Sequence, residues 1–258
     1  MLVYDLYFHK SPNTYKPTIL LEELGVDYKT HLVHVGKGQQ FSPEFVAISP
    51  NSKVPVLIDN EPEGGGESIV LFESGAILLY LSEKHGRFRG ESVSDRAQVL
   101  KWLFWHCASQ SPMNGQCAHF NLFRPENTYA KERYQREVHR LAGVLDRRLG
   151  EQPYVAGADY SIADMACYPW FDRALVATGL GPLSQYANIA KWFDELSRRP
   201  ALQAAFDRFE RETIEQTDLK EFAKNMFGHD AEAARLSEAN ARKNFVRMGM
   251  KLNDDGDK

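Results

Sequence analysis

The side chains able to do chemistry are few and dispersed. Three cysteines, Cys107, Cys117 and Cys167, form an odd set without a C-x-x-C pair, which fits a reducing compartment better than a disulfide framework. The eight histidines are scattered, none within H-E-x-x-H, and no cysteine lies at zinc spacing, so no metal centre is expected. His106 and Cys107 are neighbours in sequence that face different sides of a helix, which argues against a metal pair. Nothing basic flanks Cys107 or Cys117 closely enough in sequence to suggest a depressed thiol pKa. Ser161-Ile162-Ala163-Asp164 reads as a capping box, with Tyr160 and Met165 placed as the hydrophobic staple, and this makes Asp164 a structural carboxylate before a catalytic one.

The elements that must position these groups follow from pattern and composition. With 43% hydrophobic and 26% charged residues, the 258-residue chain is of the soluble globular class, long enough for two domains. Thirty-one Lys and Arg against 35 Asp and Glu give a net charge of -4, which excludes a nucleic-acid or anionic-membrane binder acting through its bulk field. No apolar run approaches the roughly 20 residues of a membrane span, and the N-terminus lacks a basic region before an apolar one, so a cytoplasmic protein beginning at or near Met1 is expected. Leu2 to Phe8 reads as a strand, Tyr15 to Leu24 as a helix stopped by Gly25, and Tyr28 to Val35 as a second strand. A short helix around Pro43 to Ile48 precedes two short strands, Val54 to Ile58 and Ile69 to Phe72, whose Gly64-Gly65-Gly66 connection makes them antiparallel. A helix from Glu73 to His85, closed by Gly86, completes the order βαβαββα. From Asp95 to about Lys224 helix-period patterns take over, with breaks expected at Ser111-Pro112, Arg124-Pro125, Gln152-Pro153 and Gly179 to Pro182. The expected organisation is residues 1–89 as an α/β domain, 90–228 as a helical bundle, and 229–258 as a helical extension and frayed tail.

A βαβαββα unit with a proline opening its third strand is the thioredoxin-like arrangement, and helices appended to it resemble the glutathione transferase superfamily. Four segments carry the likeness. Val54-Pro55 matches the family's cis-proline, whose isomer exposes the preceding backbone to a peptide-like ligand. Phe72-Glu73-Ser74-Gly75 looks like the turn whose helix-start N–H groups and hydroxyl receive a carboxylate while the glutamate takes an ammonium. Ser74 as a plain helix cap is compatible with that role. Ser11-Pro12-Asn13 occupies the place of the thiol-activating residue. With Gly36 to Phe41 and Ile48 to Pro55, it is similar to the nu class, whose usual form is T-P-N, and to fungal relatives of the yeast nitrogen-regulatory prion protein. Tyr129 to Tyr134 resembles the segment whose arginine, here Arg133, reaches the bound tripeptide across the domain cleft.

The resemblance implies glutathione as co-substrate, with Ser11 and Asn13 donating to its sulfur and so favouring the thiolate. Asn13 as a mere turn residue stands as the alternative. It also implies Gln40 and Lys53 at the glycyl end, the Val54 backbone beside Pro55 at the cysteinyl unit, and Glu73 with Ser74 at the γ-glutamyl end. For Lys53 and Arg133 the alternative is an ordinary solvated charge. Trp102, Trp105, His106 and Cys107 are expected along the pocket for the second substrate, with His106 and Cys107 shaping that pocket or filling a core rather than reacting. Three activities remain open: disulfide reduction without a protein cysteine, conjugation or cis–trans isomerisation of an electrophile, and non-catalytic regulatory binding. A two-fold dimer is implied as well, since Trp102 to Trp105 cannot all face one subunit's core.

Overall fold

The computed structural model describes residues 3–172, 178–210 and 225. β1 (Tyr4–Phe8) alternates buried and half-buried side chains, so Tyr4, Leu6 and Phe8 enter the core while Asp5 and Tyr7 line the other face. α1 (Pro12–Leu24) follows, starting earlier than the apolar pattern suggests because Pro12 suits the first helical turn. Gly25 ends it in the left-handed region at φ 68°. β2 (Tyr28–Leu32) stops short of Val35, where a tight turn over Val35–Lys37 begins, followed by a second over Gln39–Phe41. α2 (Pro43–Ile48) leads to β3 (Val56–Asp59), β4 (Ile69–Phe72) and α3 (Ser74–Lys84). The sheet order is β2-β1-β3-β4, with β1 parallel to β2 and both other pairs antiparallel, which is the thioredoxin-like topology.

A helical domain follows: α4 (Val93–Trp105), α5 (Ser111–Leu122), α6 (Thr128–Glu151), α7 (Ile162–Cys167), α8 (Pro169–Asp172), α9 (Ala187–Ser197) and α10 (Pro200–Glu210). The break expected at Ser111-Pro112 is absent. The chain runs from α4 to α5 through a π-helical turn, His106–Gln110, with Ser111 in helical geometry. Pro112 lacks an N–H and crowds the carbonyl four residues back, and the wider π turn accommodates both defects without ending the helix. The other three breaks fall between elements: α5 ends at Leu122, α6 at Glu151, and 179–182 form a loop. The expected helical extension over 229–258 lies outside the described residues, as does the stretch 211–224.

The two halves meet along α1. Its Tyr15, Ile19, Leu20 and Leu21 are buried, and it packs on α3, α7, α8 and α10. Phe209 of α10 stacks on Phe8 at 4.3 Å, and Phe206 on Tyr15 at 4.4 Å. Arg199 grips Glu23 through two hydrogen bonds of 2.6 and 3.0 Å, and Arg208 donates to Glu22 at 3.1 Å. This joint holds α1 against the helical domain along its length, by Tyr15 near its start and by Glu22 and Glu23 at its end. Among the described residues no helix is long and apolar enough to cross a membrane.

Candidate functional site

The starts of α1 and α3 converge, and a fully buried lysine joins them. Lys16, 1% exposed, donates from Nζ to Asn13 Oδ1 at 2.7 Å, Ser74 Oγ at 3.4 Å and Ser111 Oγ at 3.5 Å. The Ser111 hydroxyl donates to the same Asn13 oxygen at 3.1 Å. Lysine can only donate, so Asn13 must turn its oxygen toward Lys16, leaving the amide nitrogen and its two hydrogens on the opposite side. Asn13 is thereby a fixed donor on the first turn of a helix. Ser74, accepting from Lys16, keeps its own hydroxyl hydrogen for another partner.

Ser11 is the N-cap of α1, but its side chain makes no capping bond; its hydroxyl lies 3.2 Å from that of Thr14. Pro17, inside α1, has no N–H to give the Asn13 carbonyl four residues back. The first turn at Asn13 is therefore less tied to its own helix than an ordinary one.

Glu73, and not Ser74, is the N-cap of α3, and Ser74 is the first helical residue. Glu73 stands at φ 71°, ψ 113°, a conformation that side-chain-bearing residues avoid and that concentrates at functional sites. Its exposed carboxylate accepts from Asn51 Nδ2 at 3.5 Å. A Cβ on Gly75 would stand 2.6 Å from Cys107 Sγ, so a larger residue would have to push that side chain aside where α3 approaches the π turn. Two helix starts and one ammonium concentrate positive potential here, with Glu73 beside them: an arrangement that suits an anion joined to a cation in one ligand.

The Val54-Pro55 peptide is cis, with Pro55 buried and Val54 half-buried at the start of the β3 segment. The Lys53 side chain is exposed, while its backbone is held by Ser49, whose hydroxyl donates to the Lys53 carbonyl at 2.9 Å. Gln40 is buried, and its Oε1 has no hydrogen-bond partner among the described residues. Arg133 is exposed on α6, with Glu137 one turn on as a charge neighbour.

The expected pocket wall needs correction. His106 is 0% exposed and lines no open surface: it turns inward, its Nδ1 2.7 Å from Gln110 Oε1, and burial followed by the Lys16 charge holds its pKa well below the usual value. Trp102 packs into the helical domain, edge-on to Trp105 at 5.2 Å and facing the Arg148 guanidinium at 5.6 Å. The π turn rotates this stretch relative to a regular helix, which the sequence reading did not anticipate. Cys107 is exposed on that turn, close to Gly75.

None of the protein's thiols is poised to ionise. Cys107 is exposed as a residue, but desolvation of its sulfur against Gly75 of α3 raises the thiol above its usual range, only partly offset by Lys16. Cys117 is pushed up to about 11 by burial and donates to the Thr178 carbonyl at 3.1 Å. Cys167, wholly buried, is held well above the usual thiol range by that burial. Lys16, by contrast, is drawn down by burial to about 8.

Lys16, Ser111 and Asn51 are the site residues that sequence reasoning missed. For Lys16 there was a signal: it is the only charged residue between Lys10 and Glu22, set in an apolar helix three positions after Asn13.

Residues 2–83 match the family model for the glutathione S-transferase N-terminal domain, and 128–195 match that for the C-terminal domain. The chain is 48% identical over 198 residues to the disulfide-bond oxidoreductase YfcG of Escherichia coli, covering 76% of this chain and 91% of that protein. A glutathione transferase family member from Pseudomonas fluorescens, crystallised with two glutathione bound, superposes with a TM-score of 0.74 at 35% identity, over 78% of this chain and 91% of that one. A Pseudomonas putida glutathione transferase, with one glutathione disulfide bound per subunit, gives 0.74 and 35% over 78% of this chain and 90% of its own. The chain belongs to the glutathione S-transferase family.

Proposed function

We propose that this glutathione S-transferase family member is a glutathione-dependent disulfide reductase whose sulfur chemistry takes place between substrates, without a protein cysteine. One observation carries the reading: Asn13 Oδ1 is anchored by two donors, so the amide nitrogen is a fixed hydrogen-bond donor at the start of α1. Donors to a sulfur favour its charged form, and the thiolate is the nucleophile. Ser11 supplies a second donor from the N-cap, its hydroxyl free of capping duty.

In this reading Glu73 takes the ammonium of the γ-glutamyl head and Ser74, with the α3 N–H groups, its carboxylate. The Val54 backbone beside Pro55 meets the cysteinyl unit, Gln40 and Lys53 the glycyl end, and Arg133 reaches in from α6. The first thiolate attacks one sulfur of a substrate disulfide; its S–S bond breaks and the other sulfur leaves as a thiolate that takes a proton. A second glutathione thiolate attacks the mixed disulfide at the glutathione sulfur, giving glutathione disulfide and the second reduced thiol. The likeness to structures holding two glutathione, or one glutathione disulfide, supports a site large enough for both. The raised pKa values of all three cysteines favour a mechanism that bypasses them.

The proposed assembly is a two-fold dimer. Phe104 on α4 is 64% exposed, and Val70 and Phe72 of edge strand β4 are exposed as well, apolar area that a partner subunit would cover.

Turnover of hydroxyethyl disulfide with glutathione tests the chemistry. Asn13→Ala should lose about 100-fold or more in kcat/KM, the scale of one transition-state donor. The triple Cys→Ala protein should keep wild-type turnover. A collapse in the cysteine-free protein, or wild-type rates in Asn13→Ala, overturns the reading.

A further inference from the structure

A buried ammonium ordinarily sits against a carboxylate, because an unpaired charge in the interior is costly. Lys16 does not. Among the described residues no carboxylate lies within ion-pair distance, and its three partners are neutral oxygens. The groups facing it from the elements packed around α1 are Glu73 at the head of α3, His106 and Cys107 on the π turn, and Cys167 on α7. His106 is held neutral and both thiols are protonated, so Glu73, beyond ion-pair reach, is the one negative charge among them. A lysine kept only for packing could be replaced by an apolar residue of equal length at lower cost.

Its position explains the exception. Lys16 lies one helical turn after Asn13, and its ammonium touches both the residue proposed to face sulfur and the one proposed to face the γ-glutamyl carboxylate. We propose that Lys16 is the positioning residue of this site and its fixed positive charge: it holds Asn13 with the amide nitrogen outward and supplies the counter-charge for the glutathione thiolate. The inference rests on the glutathione reading above and adds what neutral donors alone do not give, a full charge in a low-dielectric setting. Binding of the anion also resolves the apo protein's uncompensated cation, so ligand and lysine each stabilise the other's charged form.

The test compares Lys16→Met, which removes charge and donor, with Lys16→Gln, which keeps a donor for Asn13 and Ser74 but no charge. Both are uncharged replacements for a buried cation, and thermal melting confirms folding. The readout is the ultraviolet thiolate band of bound glutathione as a function of pH, together with the pH profile of kcat/KM. In both variants the bound thiol should titrate about one unit or more higher, so kcat/KM should fall about tenfold in mildly acidic buffer and recover in alkaline buffer. A role limited to fixing Asn13 would leave Lys16→Gln at the wild-type titration, and that result overturns the charge assignment. Variants that bind glutathione and superpose on wild type at every pH overturn the proposal entirely, while the parent reading stands. A wild-type protein that binds neither glutathione nor its disulfide overturns that parent reading instead.

Discussion

Among the described residues three charged side chains are completely buried, Lys16, Asp59 and Asp164, and the first and last are treated in opposite ways. Asp164, 0% exposed, receives four donors: the Val155 and Ser161 N–H groups, the Ser161 hydroxyl and the Trp192 indole, at 2.9 to 3.2 Å. Burial still lifts it to about 6, but near neutral pH it is a saturated carboxylate at the start of α7, tying 155 and 192 to one helix cap. Lys16 has three acceptors, two of them at 3.4 to 3.5 Å, and no opposite charge within ion-pair distance among the described residues. A charge whose bonding capacity is filled within the fold holds structure together. A charge left short of a partner is set for a ligand, and the fold tolerates it at a cost in stability.

That contrast can be broken in order of effect. Asp164→Ala strands the Val155 and Ser161 N–H groups and the Trp192 indole together. At about 1–3 kcal/mol each, the loss approaches the whole stability of a typical domain. Chemical denaturation should show at least about 4 kcal/mol lost, or no folded protein, and a change below 1 kcal/mol would remove Asp164 from its structural role. Phe209→Ala, at the α1–α10 joint where Phe209 stacks on Phe8, should cost about 3–5 kcal/mol by the same measurement, without touching a charge.

Lys16→Met should go the other way and stabilise the ligand-free protein by about 1–3 kcal/mol near neutral pH, while activity falls. The sign of its pH dependence follows from its pKa, drawn down to about 8 from 10.5. Between those values the unfolded chain binds the extra proton, so wild-type stability should rise with pH across that window. The span corresponds to about 3 kcal/mol. Subtracting the Lys16→Met curve isolates it; a flat difference would mean Lys16 is not desolvated. Ser111→Ala should be the mildest, under about 1 kcal/mol in stability and a few-fold in turnover, since Lys16 still holds the Asn13 oxygen.

Much of the framework was legible because local chemistry and tertiary structure agree. Gly25 stops α1, the glycine run at 64–66 turns β3 into β4, and Ser161 with Asp164 caps α7, each a short-range device readable from neighbours. The site was legible only in outline. The family resemblance points to Ser11, Asn13, Glu73 and Ser74, which the structure places at helix starts, but what orients Asn13 comes from Ser111, 98 positions away on another domain, and from a lysine whose burial is a tertiary fact. The Ser111-Pro112 pair reads as a break because a proline usually ends a helix; the π turn reverses that outcome, with His106 turned inward. Trp102 and Trp105 carry apolar area in any reading, and only packing against Arg148 shows where Trp102 places it.

The most direct test of the central claim is a crystal structure with glutathione bound. The cysteinyl sulfur should lie within hydrogen-bond distance of Asn13 Nδ2, with Oδ1 still on Lys16 and Ser111 and no bond from the sulfur to Cys107. A sulfur bonded to Cys107, or resting away from the start of α1 with Asn13 turned around, would contradict it.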